Sequence, residues 1–307
     1  MLAMKERKGA SQNIAFAAIL VAVIAVFSLL SAWIPLSAIF IILFIPPLSA
    51  LAVEYCERKY AWLFLLSALG VSIAVTANNY IDTLFYVFPG ILSGFFYGYL
   101  RKTSIPISLN VFFSSLLSMG LNYLSLPLIQ AIFQVDMISF TLTLFHLQET
   151  ENILYIVPAF IFSLSLAEIT ISHLIIEILN AHLHYQGRCE TKVALLYPFI
   201  SLLFAALSIG MAFLCPYLGF LFLVFSFYFA LAGDFCFIQK GKKIHFIVLG
   251  CLFIASFFLF AFFYSSFPKD TGLLLLSIFL LANDFAIAPI GLQYLFEERK
   301  NGEANKK

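Results

Sequence analysis

Along this chain, apolar stretches long enough to cross a bilayer alternate with short basic clusters, and 16 of its 17 Lys and Arg residues lie in six such clusters. Lys5, Arg7 and Lys8 open the chain, and Arg299, Lys300, Lys306 and Lys307 close it. Between them, Arg58 and Lys59, Arg101 and Lys102, Arg188 and Lys192, then Lys240, Lys242 and Lys243 stand at every second apolar boundary. The intervening boundaries hold one basic residue, Lys269. Cytoplasmic turns of multi-pass membrane proteins collect Lys and Arg in this way. Hydrophobic residues make up 63% of the sequence and charged residues 11%, against about 45–50% and about 25% in a soluble domain. The solvent for most of this chain is therefore lipid.

A helical span needs about 20 apolar residues at about 1.5 Å rise per residue. Ten stretches qualify: 12–33, 36–53, 60–77, 81–100, 106–131, 152–180, 192–214, 217–238, 244–267 and 271–296. The expected fold is all-α, a polytopic transmembrane bundle of ten spans with both termini cytoplasmic, in a cell membrane. The run from Ile14 to Trp33 has full bilayer length and no small-residue cleavage site after it, so it reads as an uncleaved first span. The second stretch is short and contains Pro46 and Pro47. A re-entrant segment is the alternative there, and the parity of the basic clusters favours a crossing. The hydrophilic stretch 181–191 separates a six-span part, residues 1–181, from a four-span part, residues 182–307.

Several function classes are excluded or disfavoured. No basic patch with interleaved aromatics lies outside the short turns, so nucleic acid is not an expected partner. The five cysteines are widely spaced and form no C-x-x-C pair, so neither a disulfide framework nor a metal site is expected. His182 and His184 are spaced for neither helical metal ligation nor a zinc finger. No phosphate loop, nucleophile elbow, zinc-protease or dinucleotide motif occurs, so an enzyme with its own ATPase is not expected, nor is a cofactor.

Candidate functional groups are few. A charge at the bilayer centre costs at least about 2.5–3.5 kcal/mol, and Glu168 and Asp284 fall deep within the sixth and tenth spans. With no Lys or Arg at mid-depth, such acids must be protonated, ion-bound or hydrogen-bonded. They form either a substrate, cation or proton site or a neutral acid held by Ser, Thr or a backbone carbonyl. Asp234 and Glu177 lie nearer a surface, and His173 shares a helix face with Glu177. Asn78, Asn79 and Asp82 after the third span, with Asn122 in the fifth, could orient a small polar ligand. Helix capping is the competing role for the first three. Two small-residue faces complete the set. Gly90, Gly94 and Gly98 recur every fourth residue, as do Ala18 and Ala22, and each face allows a helix backbone to approach closely. Both can serve a partner helix or packing within the chain.

The segment IAFAAILVAVIAVFSLL behind a basic start, the Ala18-x-x-x-Ala22 stripe and VFPGILSGFFYGYLRK together resemble the S components of energy-coupling-factor transporters over residues 12–181. The whole layout, including IPLSAIFIILFIPPLSALAVEYCERKYAW, is similar to the YybS-like bacterial membrane proteins, which extend such a unit by further spans. The resemblance implies that Ala18 and Ala22 dock on a transmembrane coupling subunit, with separate chains supplying ATP hydrolysis and an unidentified small molecule as ligand. Two features differ from S components: only a few residues join the first two spans, and four spans follow the sixth. The leading expectation is a substrate-binding subunit of an uptake system. The rivals are a membrane scaffold or assembly factor of the cell envelope, and an ion- or proton-coupled carrier using Glu168 and Asp284.

Overall fold

The computed structural model describes residues 9–33, 38–76, 81, 83–103, 105–136, 138–139, 151–181, 196–239, 251 and 254. Among these, every regular element is helical: α1 (Ala10–Trp33), α2 (Ala38–Tyr55), α3 (Arg58–Val75), a π-helical turn (Thr83–Val87) that runs into α4 (Phe88–Arg101), α5 (Ile107–Phe133), α6 (Glu151–Ala181), α7 (Leu196–Leu214) and α8 (Pro216–Gln239). These eight helices occupy the first eight stretches picked out by hydropathy. Five segments, Ala10–Ser31, Arg58–Val75, Thr83–Arg101, Ile107–Phe133 and Val157–Ile176, are long and apolar enough to cross a membrane. Apart from residues 251 and 254, the ninth and tenth expected spans lie outside the described residues, as do Asn78, Asn79, Asp82 and Asp284.

The chain groups into two compact units, one of 1–138 and 168–186, the other of 139–167 and 187–307. The expected division at 181/182 lies five residues before one of these edges, whereas the first part of α6 groups with the second unit.

In the first unit the helices alternate in direction. Phe16 meets Tyr55 at 5.8 Å between ring centres and Phe27 stacks on Phe44 at 5.4 Å, so α2 runs back along α1. Asn13 accepts the backbone N–H of Glu57 at 3.1 Å, and Ser28 and Ser72 hydroxyls lie 3.4 Å apart, so α3 runs parallel to α1. α2 is thus a continuous helix lying along the length of α1, despite Pro46 and Pro47 within it. Removing two N–H groups from a helix frees carbonyls in the preceding turn.

α2 and α4 lie parallel and close. A Cβ at Gly94 would overlap the carbonyl oxygen of Pro46 and lie 2.5 Å from its Cα; one at Gly98 would lie 2.8 Å from the Ala50 carbonyl oxygen. Only a residue without a side chain fits at such a crossing. The glycine face of α4 is therefore filled by a helix of the same chain. Large apolar side chains such as Leu63, Leu66, Leu124 and Ile132 point outward, as expected for a surface bathed in hydrocarbon.

The second unit contains an antiparallel hairpin of α7 and α8, turned at Cys215–Pro216. The Ser201 hydroxyl donates to the Ser226 carbonyl and the Ser226 hydroxyl to the Ser201 carbonyl, each at 2.9 Å. Nearer the turn, Ser208 donates to the Gly219 carbonyl at 2.8 Å. Phe204 packs among Phe222, Phe225 and Phe229, and Phe162 of α6 meets Phe225 at 4.7 Å. Without a hydrophobic drive between helices in lipid, close packing and interhelical hydrogen bonds of this kind hold the pair.

Candidate functional site

The interior of the first unit is polar along one line. On α5, Ser108, Val111, Ser115, Ser118, Ser125 and Ile129 are buried, and Asn122 is half-buried among them. Their spacing of three and four residues puts them on one helical face. Serine hydroxyls in a membrane helix bond back to their own carbonyls when no better acceptor exists, as Ser115 does to Val111 at 2.7 Å. Ser118 instead donates to Glu168 Oε2 at 3.0 Å across to α6.

Glu168 is buried, and its backbone carbonyl accepts the Ser172 hydroxyl at 2.9 Å. Its other carboxyl oxygen faces Gly90: a Cβ there would lie 3.6 Å from Oε1. The same Cβ would touch Ile45 at 3.4 Å and Pro46 at 3.5 Å, so the space beside the carboxyl group is the size of one methyl group and α2 closes it. One turn from Ser118 along α5, the Oδ1 atom of Asn122 is buried and has no hydrogen-bond partner among the described residues. A carboxyl group, a serine hydroxyl and a spare amide oxygen on one interior line form an acceptor-rich site. Such a site suits a ligand with N–H or O–H donors, or a cation.

At one end of the same unit lies a second polar group. Arg101 donates from Nε to Glu54 Oε1, and the two side chains are only 8% and 5% exposed. Nη1 of Arg101 donates to the Tyr97 hydroxyl at 3.2 Å and approaches His173 Nδ1 at 3.3 Å, while Tyr97 Oη lies 2.7 Å from that nitrogen. Guanidinium can only donate, so His173 Nδ1 accepts, which puts the proton of a neutral ring on Nε2. The four side chains tie the ends of α2 and α4 to α6.

Of the residues singled out in the sequence, Glu168 and Asn122 belong to the interior line. Gly90 borders it, and Gly94 and Gly98 seat α2. Ala18 and Ala22 lie exposed on the outer face of α1. Asn78, Asn79, Asp82 and Asp284 are outside the described residues, as are the side chains of Glu177 and Asp234. Sequence reasoning passed over Ser118, Tyr97, Glu54 and the burial of Arg101. The serine spacing on α5 and the Tyr97–Arg101 separation of four residues were readable signals; the partners across helices were not.

Among the described residues no group of three or more His, Cys, Asp or Glu side chains is placed to hold a metal ion. No protein-family model, curated protein or solved structure matches the chain. What it is follows from its own residues: an integral membrane protein, helical throughout its described elements, with a buried, acceptor-rich line across α4, α5 and α6.

Proposed function

We propose that this protein is the substrate-binding subunit of a small-molecule uptake system in a bacterial plasma membrane, similar in role to the S components of energy-coupling-factor transporters. The observation that carries the reading is the Glu168 carboxyl group, buried against Gly90 and bonded to Ser118, with Asn122 Oδ1, which has no partner among the described residues, one turn along. A spare amide acceptor kept beside a carboxyl group inside a membrane bundle suits a ligand that arrives with a donor. The outward placement of Ala18 and Ala22 supports docking on a coupling subunit, because these small side chains serve no internal crossing among the described helices. ATP hydrolysis belongs to partner chains.

The test is a thermal-stability screen of the detergent-purified chain against vitamins, amines and cations. A true ligand raises the unfolding midpoint in proportion to its occupancy, and Glu168→Gln abolishes the rise. No stabilisation by any compound, together with recovery of cell-envelope assembly proteins instead of coupling and ATPase subunits in detergent pull-downs, would replace this reading with the scaffold.

A further inference from the structure

We propose that the groove between the start of α3 and the end of α4 seats one anionic phospholipid of the surrounding bilayer. Two bridging pairs define the groove. The Arg58 guanidinium lies 5.8 Å from the centre of the Tyr99 ring, and the Trp62 ring lies 5.1 Å from that of Phe95. Residues 58 and 62 are one turn apart on α3, as are 95 and 99 on the antiparallel α4. The pairs are thus successive rungs: a cationic one at the end of the bundle and an apolar one beneath it.

Chemistry changes in the same order along the groove. Glu57, Arg58, Lys59 and Trp62 line an open cavity at the rim. Lys59 is 70% exposed and pairs with Glu57 at 3.7 Å, and Lys102 is exposed just past α4. Two of the lining residues are cations and one is a carboxylate, so positive charge is in excess along the rim. Trp62, 46% exposed, holds the level where amphipathic rings favour the interface between headgroup and chain. Leu66, one turn deeper on the same face, is 67% exposed and purely apolar. This order matches a phospholipid: phosphate at the rim, glycerol beside the tryptophan, acyl chain along Leu66.

Charge selects the anionic class. A choline headgroup would bring its own cation against Arg58 and Lys59, whereas a glycerol or serine-type anionic headgroup leaves a net negative charge to meet them. Stacking on Tyr99 restricts Arg58 before the phosphate arrives, and guanidinium is suited to bidentate phosphate contact. The apolar lower rung favours a lipid over a free phosphate ion. The inference is independent of the interior line at Glu168.

Native mass spectrometry of the detergent-purified full chain tests it, with phosphatidylglycerol and phosphatidylcholine of identical acyl chains as probes. Phosphatidylglycerol should bind more tightly, and the double variant Arg58→Gln with Lys59→Gln should weaken it about ten-fold, the scale for two cations near an anionic surface with one partly neutralised. Phosphatidylcholine binding should not change. Lys242→Gln with Lys243→Gln, the same change of charge at a distant place in the sequence, should leave the preference intact, and Trp62→Ala should weaken both lipids. Because Arg58, Lys59 and Trp62 are exposed, helical content by circular dichroism should match the wild type in the variants at these positions. Equal binding of the two lipids by the wild type, or equal loss in the lysine control, would overturn the proposal. Displacement of phosphatidylglycerol by millimolar glycerol 3-phosphate would overturn it too, by making the site one for a soluble anion.

Discussion

Arg101 and Glu54, 47 residues apart in sequence, form a buried ion pair that joins the last turn of α4 to the last turn of α2. Breaking such a pair from one side strands a charge away from water. Arg101→Leu should therefore destabilise the protein by about 3–5 kcal/mol, and Glu54→Leu with Arg101→Leu should recover much of that loss. Thermal unfolding of both variants in one detergent would decide it; equal loss in the single and double variants would show that the pair is not the reason.

The Tyr97 hydroxyl receives Arg101 and donates to His173. Tyr97→Phe keeps the ring and removes both bonds, so a loss of about 1–2 kcal/mol is expected. Chemical denaturation in mixed micelles measures it.

Gly94 and Gly70 should respond oppositely to the same change. A methyl group at Gly94 meets the backbone of Pro46, which cannot step aside, whereas nothing lies within 4 Å of one at Gly70. Gly94→Ala should cost about 1–3 kcal/mol through overpacking. Gly70→Ala should be neutral or stabilising by up to about 1 kcal/mol, because glycine is the weaker helix former. Unfolding midpoints of the two variants compared side by side are the check.

Glu168→Gln should separate stability from function. Its amide oxygen can still accept from Ser118, so the unfolding midpoint should move little, by less than about 1 kcal/mol equivalent. Ligand-dependent stabilisation should vanish. A variant that unfolds early but still gains stability with ligand would assign Glu168 to the fold alone.

Ala18→Leu with Ala22→Leu tests the outer face of α1. Both positions are exposed, so the isolated subunit should fold and bind ligand as before. Co-purification with coupling and ATPase subunits should be lost, as bulk on a small-residue face holds a partner helix away.

Helix positions were legible because bilayer length and hydropathy leave little choice: α1, α5 and α6 start and end within two residues of the expected spans. Pro46 and Pro47 raised the possibility of a re-entrant segment, yet α2 lies along α1 through the ring pairs at Phe16 and Phe27. Glu168 was visible as an acid deep in an apolar run. Its donor was not, because Ser118 lies 50 residues away and helical period says nothing about the register between helices. The burial of Arg101 was hidden for a related reason. Charge patterning identifies which end of a helix a cation occupies, but not whether its side chain turns outward or inward. In the fold it turns inward, to Glu54 of α2.

Arg101 therefore serves two different ends. The expected placement of basic clusters in the cytoplasm asks only for a positive charge at this end of α4, which a lysine would supply equally well. Once the helices have assembled, the same side chain must reach Glu54 from one nitrogen and Tyr97 from another, which the branched guanidinium can do and a single ammonium cannot. Orientation in the membrane and cohesion of the bundle thus make separate demands on one position, and arginine meets both.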